Sequence, residues 1–180
     1  MKRQICLAVL LIVLCSFSNW AQNKKNVKYT FPKKSVEFVV TFPAKPKIKK
    51  ISANGISATS AKLVLADDEL IKADVTEISE AVAAKIERFN ETELASAAWN
   101  HGRDNGYEGL TVTTGKTDIG RYARMQGYKT ISDVRVMYEA HFYYGKRQVL
   151  ILYVVCKSSE YPTKAISKFL NSLSIVKENK

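Results

Sequence analysis

The chain has 180 residues, 46% of them hydrophobic, with 28 Lys or Arg against 17 Asp or Glu and a formal net charge of +11. A chain of this length builds one hydrophobic core without disulfide or metal staples. It shows no internal repeat, no low-complexity tract and no second domain.

Residues 1–21 read as a cleavable signal peptide. Met1-Lys2-Arg3 is a short positive start, an apolar run from Ile5 to Leu14 follows, and Ser16 to Ala21 closes it with small and polar residues. The apolar run is about half the length that spans a bilayer. Cleavage is placed after Ala21, with Gln22 as the new N-terminus; the alternatives are an uncleaved anchor or lipidation at Cys15. Leu14 precedes Cys15 where a lipoprotein signal wants a small residue. Removing the signal leaves Cys156 as the one cysteine, which excludes an intramolecular disulfide and suits a small buried hydrophobe. No integral membrane span is expected after cleavage.

The signal takes two basic residues and no acid, so the mature chain keeps a net charge of +9. Nine lysines and one acid, Glu37, lie between Lys24 and Lys50, so nearly all the net charge sits there. Edge-strand protection is the favoured reading of these lysines. The functional reading is a patch for an anionic surface or an acidic envelope protein, with Lys45, Lys47, Lys49 and Lys50 as its candidates. Nucleic acid is not an expected partner, because no recognition-helix pattern is present and export removes the chain from the genome.

Residues 22–34 read as a flexible basic lead-in and 35–178 as a single domain. Val36, Phe38, Val40 and Phe42 alternate as a strand that Pro43 and Pro46 end. Strands are then predicted over 47–53, 56–65 and 70–76, with turns at Asn54-Gly55 and Asp67-Asp68. From Ser79, Val82, Ile86 and Phe89 fall at helical spacing. Asn90 and Glu93 form a capping-box pattern before Leu94, Ala97, Ala98 and His101, and Gly102, Gly106 and Gly109 are expected to break that helix. The choice is one kinked helix or two consecutive ones.

Strands follow over 110–114 and 120–128. A longer one carries Val134, Val136, Tyr138, Ala140, Phe142 and Tyr144 on one face and Arg135, Met137, Glu139, His141 and Tyr143 on the other. Gly145-Lys146 reads as a hairpin turn, and Arg147 to Lys157 is apolar enough to be a central strand. Beyond Pro162, Ala165, Ile166, Phe169, Leu170 and Leu173 mark a closing helix. This order implies an α+β domain in which helices cover an antiparallel β-sheet.

Three patterns in this order carry a family resemblance: Phe38-Val39-Val40-Thr41-Phe42-Pro43-Ala44-Lys45-Pro46, Gly120-Arg121-Tyr122-Ala123-Arg124 and Phe169-Leu170-Asn171-Ser172-Leu173. Together they resemble exported bacterial proteins of unassigned function with a PsbP-like α/β/α fold, over most of the mature chain. The resemblance implies a binding or assembly module rather than an enzyme, and it brings no catalytic residues.

Chemical motifs are sparse. His101 and His141 belong to no metal-spaced pair, and no nucleophile elbow or phosphate-cradling glycine run occurs. Glu139 and His141 share a strand face and could form an acid–base or metal pair; a solvated polar face is the preferred reading. His101 reads as a residue at a helix C-terminus, favoured by the dipole. The acidic run Asp67-Asp68-Glu69 lacks alternating calcium ligands, and Asn90-Glu91-Thr92 matches a glycosylation sequon that helix capping also explains. An exposed sheet face with Arg124, Arg135, Tyr143 and Tyr153 makes a candidate docking surface, against the plainer reading of cross-strand aromatic pairs. The expectation is a non-enzymatic binding or accessory module of the cell envelope, periplasmic or extracellular, with no cofactor or metal. The runner-up is a protein that associates with a polyanion or membrane surface through residues 24–50.

Overall fold

The computed structural model describes residues 27–31, 38–53, 56–66, 69–118 and 120–175. The signal, Cys15 and the turns at Asn54-Gly55 and Asp67-Asp68 lie outside the described residues. In chain order the elements are β1 (Val27–Phe31), β2 (Phe38–Phe42), β3 (Lys47–Ala53), β4 (Ile56–Ala66), β5 (Glu69–Glu77), α1 (Glu80–Glu87) and α2 (Glu91–Asp104). They continue with β6 (Glu108–Thr117), β7 (Gly120–Ile131), β8 (Val134–Tyr144), β9 (Gln148–Lys157), α3 (Lys164–Leu170) and β10 (Ser174–Ile175).

Two antiparallel sheets result. The larger runs β3-β4-β5-β9-β8-β7-β6 and the smaller β1-β2-β10. β9, the most apolar strand, is fourth of the seven, as its sequence predicts, and burial alternates along its whole length. One face of the large sheet carries Ile71, Ala73, Val75, Leu150, Leu152 and Val154. It packs against Phe38, Val40 and Phe42 of the small sheet and Ile166, Phe169 and Leu170 of α3. Cys156 is buried in the same core. The opposite face carries Ala123, Met125, Tyr138, Ala140 and Phe142 beneath Ala98 of α2. We call these the sandwich face and the helix face. Helix cover is partial: α2 packs on β6 and β7, and α3 shares its side of the molecule with a three-stranded sheet.

Residues 27–31, placed by the sequence in a flexible lead-in, instead form β1, paired with β2 from Val27↔Phe42 to Phe31↔Phe38. Val27, Tyr29 and Phe31 alternate within a run dominated by lysine and asparagine, and the Tyr29 ring meets Phe42 edge-on with centroids 6.4 Å apart. Three apolar residues at period two are enough once β2 supplies the ladder.

The helical stretch divides into two. Asn90 caps α2 through a complete capping box: its side chain accepts from the Glu93 N–H at 2.9 Å, and the Glu93 carboxylate accepts from the Asn90 N–H at 2.7 Å. Asn90→Ala is therefore expected to destabilise the fold by about 1 kcal/mol. A urea midpoint unchanged in the variant would show that the cap contributes nothing. Gly102 does not break α2 but lies buried inside it, where a Cβ would come within 2.5 Å of Met125 Sδ. The missing side chain lets α2 approach β7, and the chain turns at Gly106, whose φ is +75°. In α1 the buried residue is Ala83, not Val82, which is exposed.

The β7–β8 hairpin turns on Ser132 and Asp133, both at positive φ, as a type I′ turn requires. The β8–β9 turn falls one residue later than Gly145-Lys146. Gly145 N–H donates to the Gln148 carbonyl at 2.9 Å, leaving Lys146 and Arg147 as the loop. The apolar alternation of β8 against β9 sets this register, from Tyr144↔Val149 to Val136↔Lys157.

Candidate functional site: two polar clusters on opposite sheet faces

Alternation and register bring Arg124, Gln126, Glu139 and His141 together on the sandwich face, because β7 pairs with β8 as Arg124↔His141 and Gln126↔Glu139. The Glu139 side chain is 1% exposed, whereas that of Arg124 is 45% exposed. The carboxylate accepts from Arg124 Nε at 2.6 Å, from Gln126 Nε2 at 2.8 Å and from His141 Nε2. Gln126 Nε2 also donates to the Tyr161 hydroxyl at 3.1 Å. The His141 ring also meets the Tyr143 hydroxyl at Nδ1, 3.3 Å away. Burial alone would raise the Glu139 carboxyl, but donation from His141, Arg124 and Gln126 outweighs it and holds the carboxyl below its ordinary value. The acid–base pair considered from the sequence is thus one buried carboxylate consumed by structural donors.

The helix face carries a different arrangement. Lys47, Lys62 and Lys72 stand in one row across three strands, through the pairs Lys47↔Lys62 and Lys62↔Lys72. The row continues to Tyr153, over whose ring the Lys72 ammonium sits at 4.8 Å. Lys72 also pairs with Asp74 at 2.6 Å. Burial would lower the Lys72 ammonium, and the Asp74 and Tyr153 partners more than reverse that, so it is raised above its ordinary value. Beside this row lies an apolar groove of about 450 Å³, bounded by Lys62, Val64, Leu70, Ile131, Val134, Val136, Val155 and Lys157. Val64, Ile131 and Val134 are 56%, 51% and 40% exposed. Glu69 also borders the groove, but its carboxylate accepts the Thr163 hydroxyl at 2.5 Å. α2 packs over β6 and β7, and among the described residues no helix covers this part of the face.

The structure divides the candidate docking residues. Arg124 and Tyr143 fall in the Glu139 cluster, and Arg135 stacks on Tyr128 of the same face at 3.6 Å. Tyr153 points to the opposite face, because β9 pairs Tyr153 with Ala140 of β8, so the four do not form one surface. Lys47 and Lys49 lie on the helix face of β3 and Lys50 on the other; Lys45 precedes the strand, and all four are exposed. Sequence reasoning missed Lys62, Lys72 and the aliphatic groove. Their spacing of two residues along β4 and β5 is visible, but their alignment with Lys47 depends on register across two turns. His101 does occupy the last turn of α2. Its ring accepts the Tyr138 hydroxyl at Nε2, 3.0 Å away, and burial holds its imidazole pKa below the ordinary value despite Asp104 and Asp74 nearby, so it packs rather than charges the helix end.

A seven-stranded antiparallel sheet with a small sheet and helix on one face and a longer helix on the other defines an α+β fold. The chain has a PsbP-like fold: it is similar to cyanobacterial PsbP from Synechocystis, with a TM-score of 0.57 and 9% identity over 85% of this chain and 94% of that one. It is also similar, at a TM-score of 0.40 and 10% identity over 89% and 96% of the two chains, to LpqN, a protein involved in cell envelope biogenesis of Mycobacterium tuberculosis. No protein-family model and no curated protein matches the sequence.

Proposed function

We propose that this chain is a non-enzymatic binding or accessory module of the cell envelope, exported to the periplasm or the exterior of a Gram-negative bacterium, and that it binds an anionic partner on the open part of the helix face. The lysine row Lys47-Lys62-Lys72 carries this reading. Like charges directly opposite across strands are destabilising, and Asp74 offsets only one of the three. An anion seated on the row removes that repulsion, so the cost of the arrangement becomes affinity. The non-enzymatic part rests on the Glu139 cluster, where the carboxylate and histidine satisfy each other and their neighbours. Export rests on the Lys2-Arg3 and Ile5–Leu14 pattern.

The test is capture of a partner from envelope extract by the chain from Gln22 onward, at low and high salt, beside the variant Lys47→Gln/Lys49→Gln/Lys62→Gln. Loss of capture in the variant and at high salt is expected, because exposed charges are screened within about 8 Å at physiological ionic strength. Capture by both proteins in high salt would place the binding surface elsewhere. The exposed Lys45, Lys47, Lys49 and Lys50 also suit an anionic membrane surface; sedimentation with anionic vesicles and no soluble partner would favour that second reading.

A further inference from the structure

We infer that the open groove on the helix face holds the hydrocarbon chain of a long-chain carboxylate whose head group rests on the lysine row; this rests on the anion-binding reading above and names the ligand. The groove runs diagonally from Lys62 and Val64 on β4, past Leu70 on β5 and Val155 on β9, to Val136, Val134 and Ile131 at the β7–β8 hairpin. It thus crosses four strand spacings, about 19 Å at 4.8 Å each. Its apolar lining is aliphatic, from Val, Leu, Ile and Ala side chains. Such a wall rewards a ligand portion that needs no hydrogen bonds and offers no ring to stack on. The volume of about 450 Å³ lies within the roughly 300–1,000 Å³ of small-molecule sites.

Lysines border the groove at two places: Lys157, paired with Val136, and Lys62, where the charge is concentrated. Lys62 belongs both to the groove wall and to the lysine row, flanked by Lys47 and Lys72 on the neighbouring strands. Among the described residues the one carboxylate in the groove wall is Glu69, and it is engaged by Thr163. A linear apolar trough that begins at a row of ammonium groups matches an amphiphile with one anionic head. A neutral lipid would leave the lysine repulsion in place. A bare anion would leave the exposed valines and Ile131 in water.

The experiment is displacement of the fluorescent fatty acid cis-parinarate from the chain beginning at Gln22. Oleate is expected to displace it, and oleyl alcohol, which has the same chain and no charge, at least tenfold less well. Lys62→Gln is expected to weaken oleate at least tenfold and to leave oleyl alcohol unchanged. Val64→Asn/Val134→Asn is expected to weaken both. These three side chains are exposed, so the variants fold, and unchanged melting temperatures check it. Failure of oleate to displace the probe, equal affinity for acid and alcohol, or binding only to phosphatidylglycerol vesicles would overturn the inference. If oleate fails while the salt-sensitive, lysine-dependent capture from envelope extract persists, the ligand class is wrong and the anion-binding reading stands. If both fail, the lysine row is not a binding site.

Discussion

Phe169→Ala is expected to lower the unfolding free energy by about 3–5 kcal/mol. Phe169 is fully buried and packs on Phe42 with ring centroids 5.0 Å apart, and Phe42 in turn meets Tyr29 of β1. One aromatic stack therefore joins α3 to both long strands of the small sheet. α3 has seven residues, too few to persist in water by propensity, so its existence depends on the buried face of Ile166, Phe169 and Leu170. The chain that leaves α3 secures the same sheet. The Thr41 N–H donates to the Ser172 hydroxyl at 2.9 Å, and β10 adds to β2 through Ser174↔Val39. Truncating the ring opens a cavity and loosens three strands together. Urea denaturation would show the lower midpoint, and hydrogen exchange would show faster opening of β1, β2 and β10 than of β7 to β9. Phe169→Leu, which keeps most of the volume, is expected to lose much less. A loss of unfolding free energy below about 1 kcal/mol for the alanine variant would mean that α3 does not anchor the small sheet.

Arg124→Met is expected to destabilise the fold by about 1.5–3 kcal/mol at neutral pH, the range for a hydrogen bond to a charged group. The two partners are unequal: Glu139 is buried and Arg124 half exposed. Removing the arginine leaves a buried carboxylate with fewer donors, whereas removing the glutamate leaves an arginine that water can solvate. The pH dependence follows from the depressed Glu139 carboxyl. A carboxyl lower in the fold than in the unfolded chain stabilises the fold above its unfolded value, about 4.3, and that stability is lost as pH falls through the folded value. Arg124→Met removes one of the donors that depress it, so the folded value rises and the variant has less to lose on acidification. The stability gap between wild type and Arg124→Met should narrow between pH 7 and pH 3 in urea titrations. A gap that stays constant across that range would show that the arginine acts through packing of its stem and not through Glu139. The double variant Arg124→Met/Glu139→Leu is not expected to recover the loss, because Gln126 and His141 then lose the carboxylate they donate to.

Much of the fold is written locally. β9 reads as a central strand because both its faces are apolar, and it is central. Asn90 and Glu93 mark the start of α2 because a capping box is a three-residue device that needs no partner elsewhere. The stripe Ile166, Phe169 and Leu170 marks α3 for the same reason, since helical period is a property of the segment itself. β1 was hidden because its three apolar residues are too few to read as a strand against the surrounding lysines, and only the β2 ladder gives them a place.

The site belongs to tertiary structure. Period-two alternation says which residues of one strand share a face, so the grouping of Arg135, Glu139, His141 and Tyr143 could be read from β8 alone. It does not say how two strands are aligned, and a shift of one residue exchanges every face. Tyr153 was therefore grouped with Arg124 and Tyr143 although β9 turns it to the opposite side. The lysine row has the same origin. Lys47, Lys62 and Lys72 are separated in sequence by loops and become neighbours only through the registers of β3 with β4 and β4 with β5. The sequence by itself determined most of the elements and the basic N-terminal segment, because those depend on short-range period and composition. Cross-strand register and the length of α2 decided the rest: which charges stand together, which carboxylate is buried among donors, and which part of the helix face is left uncovered.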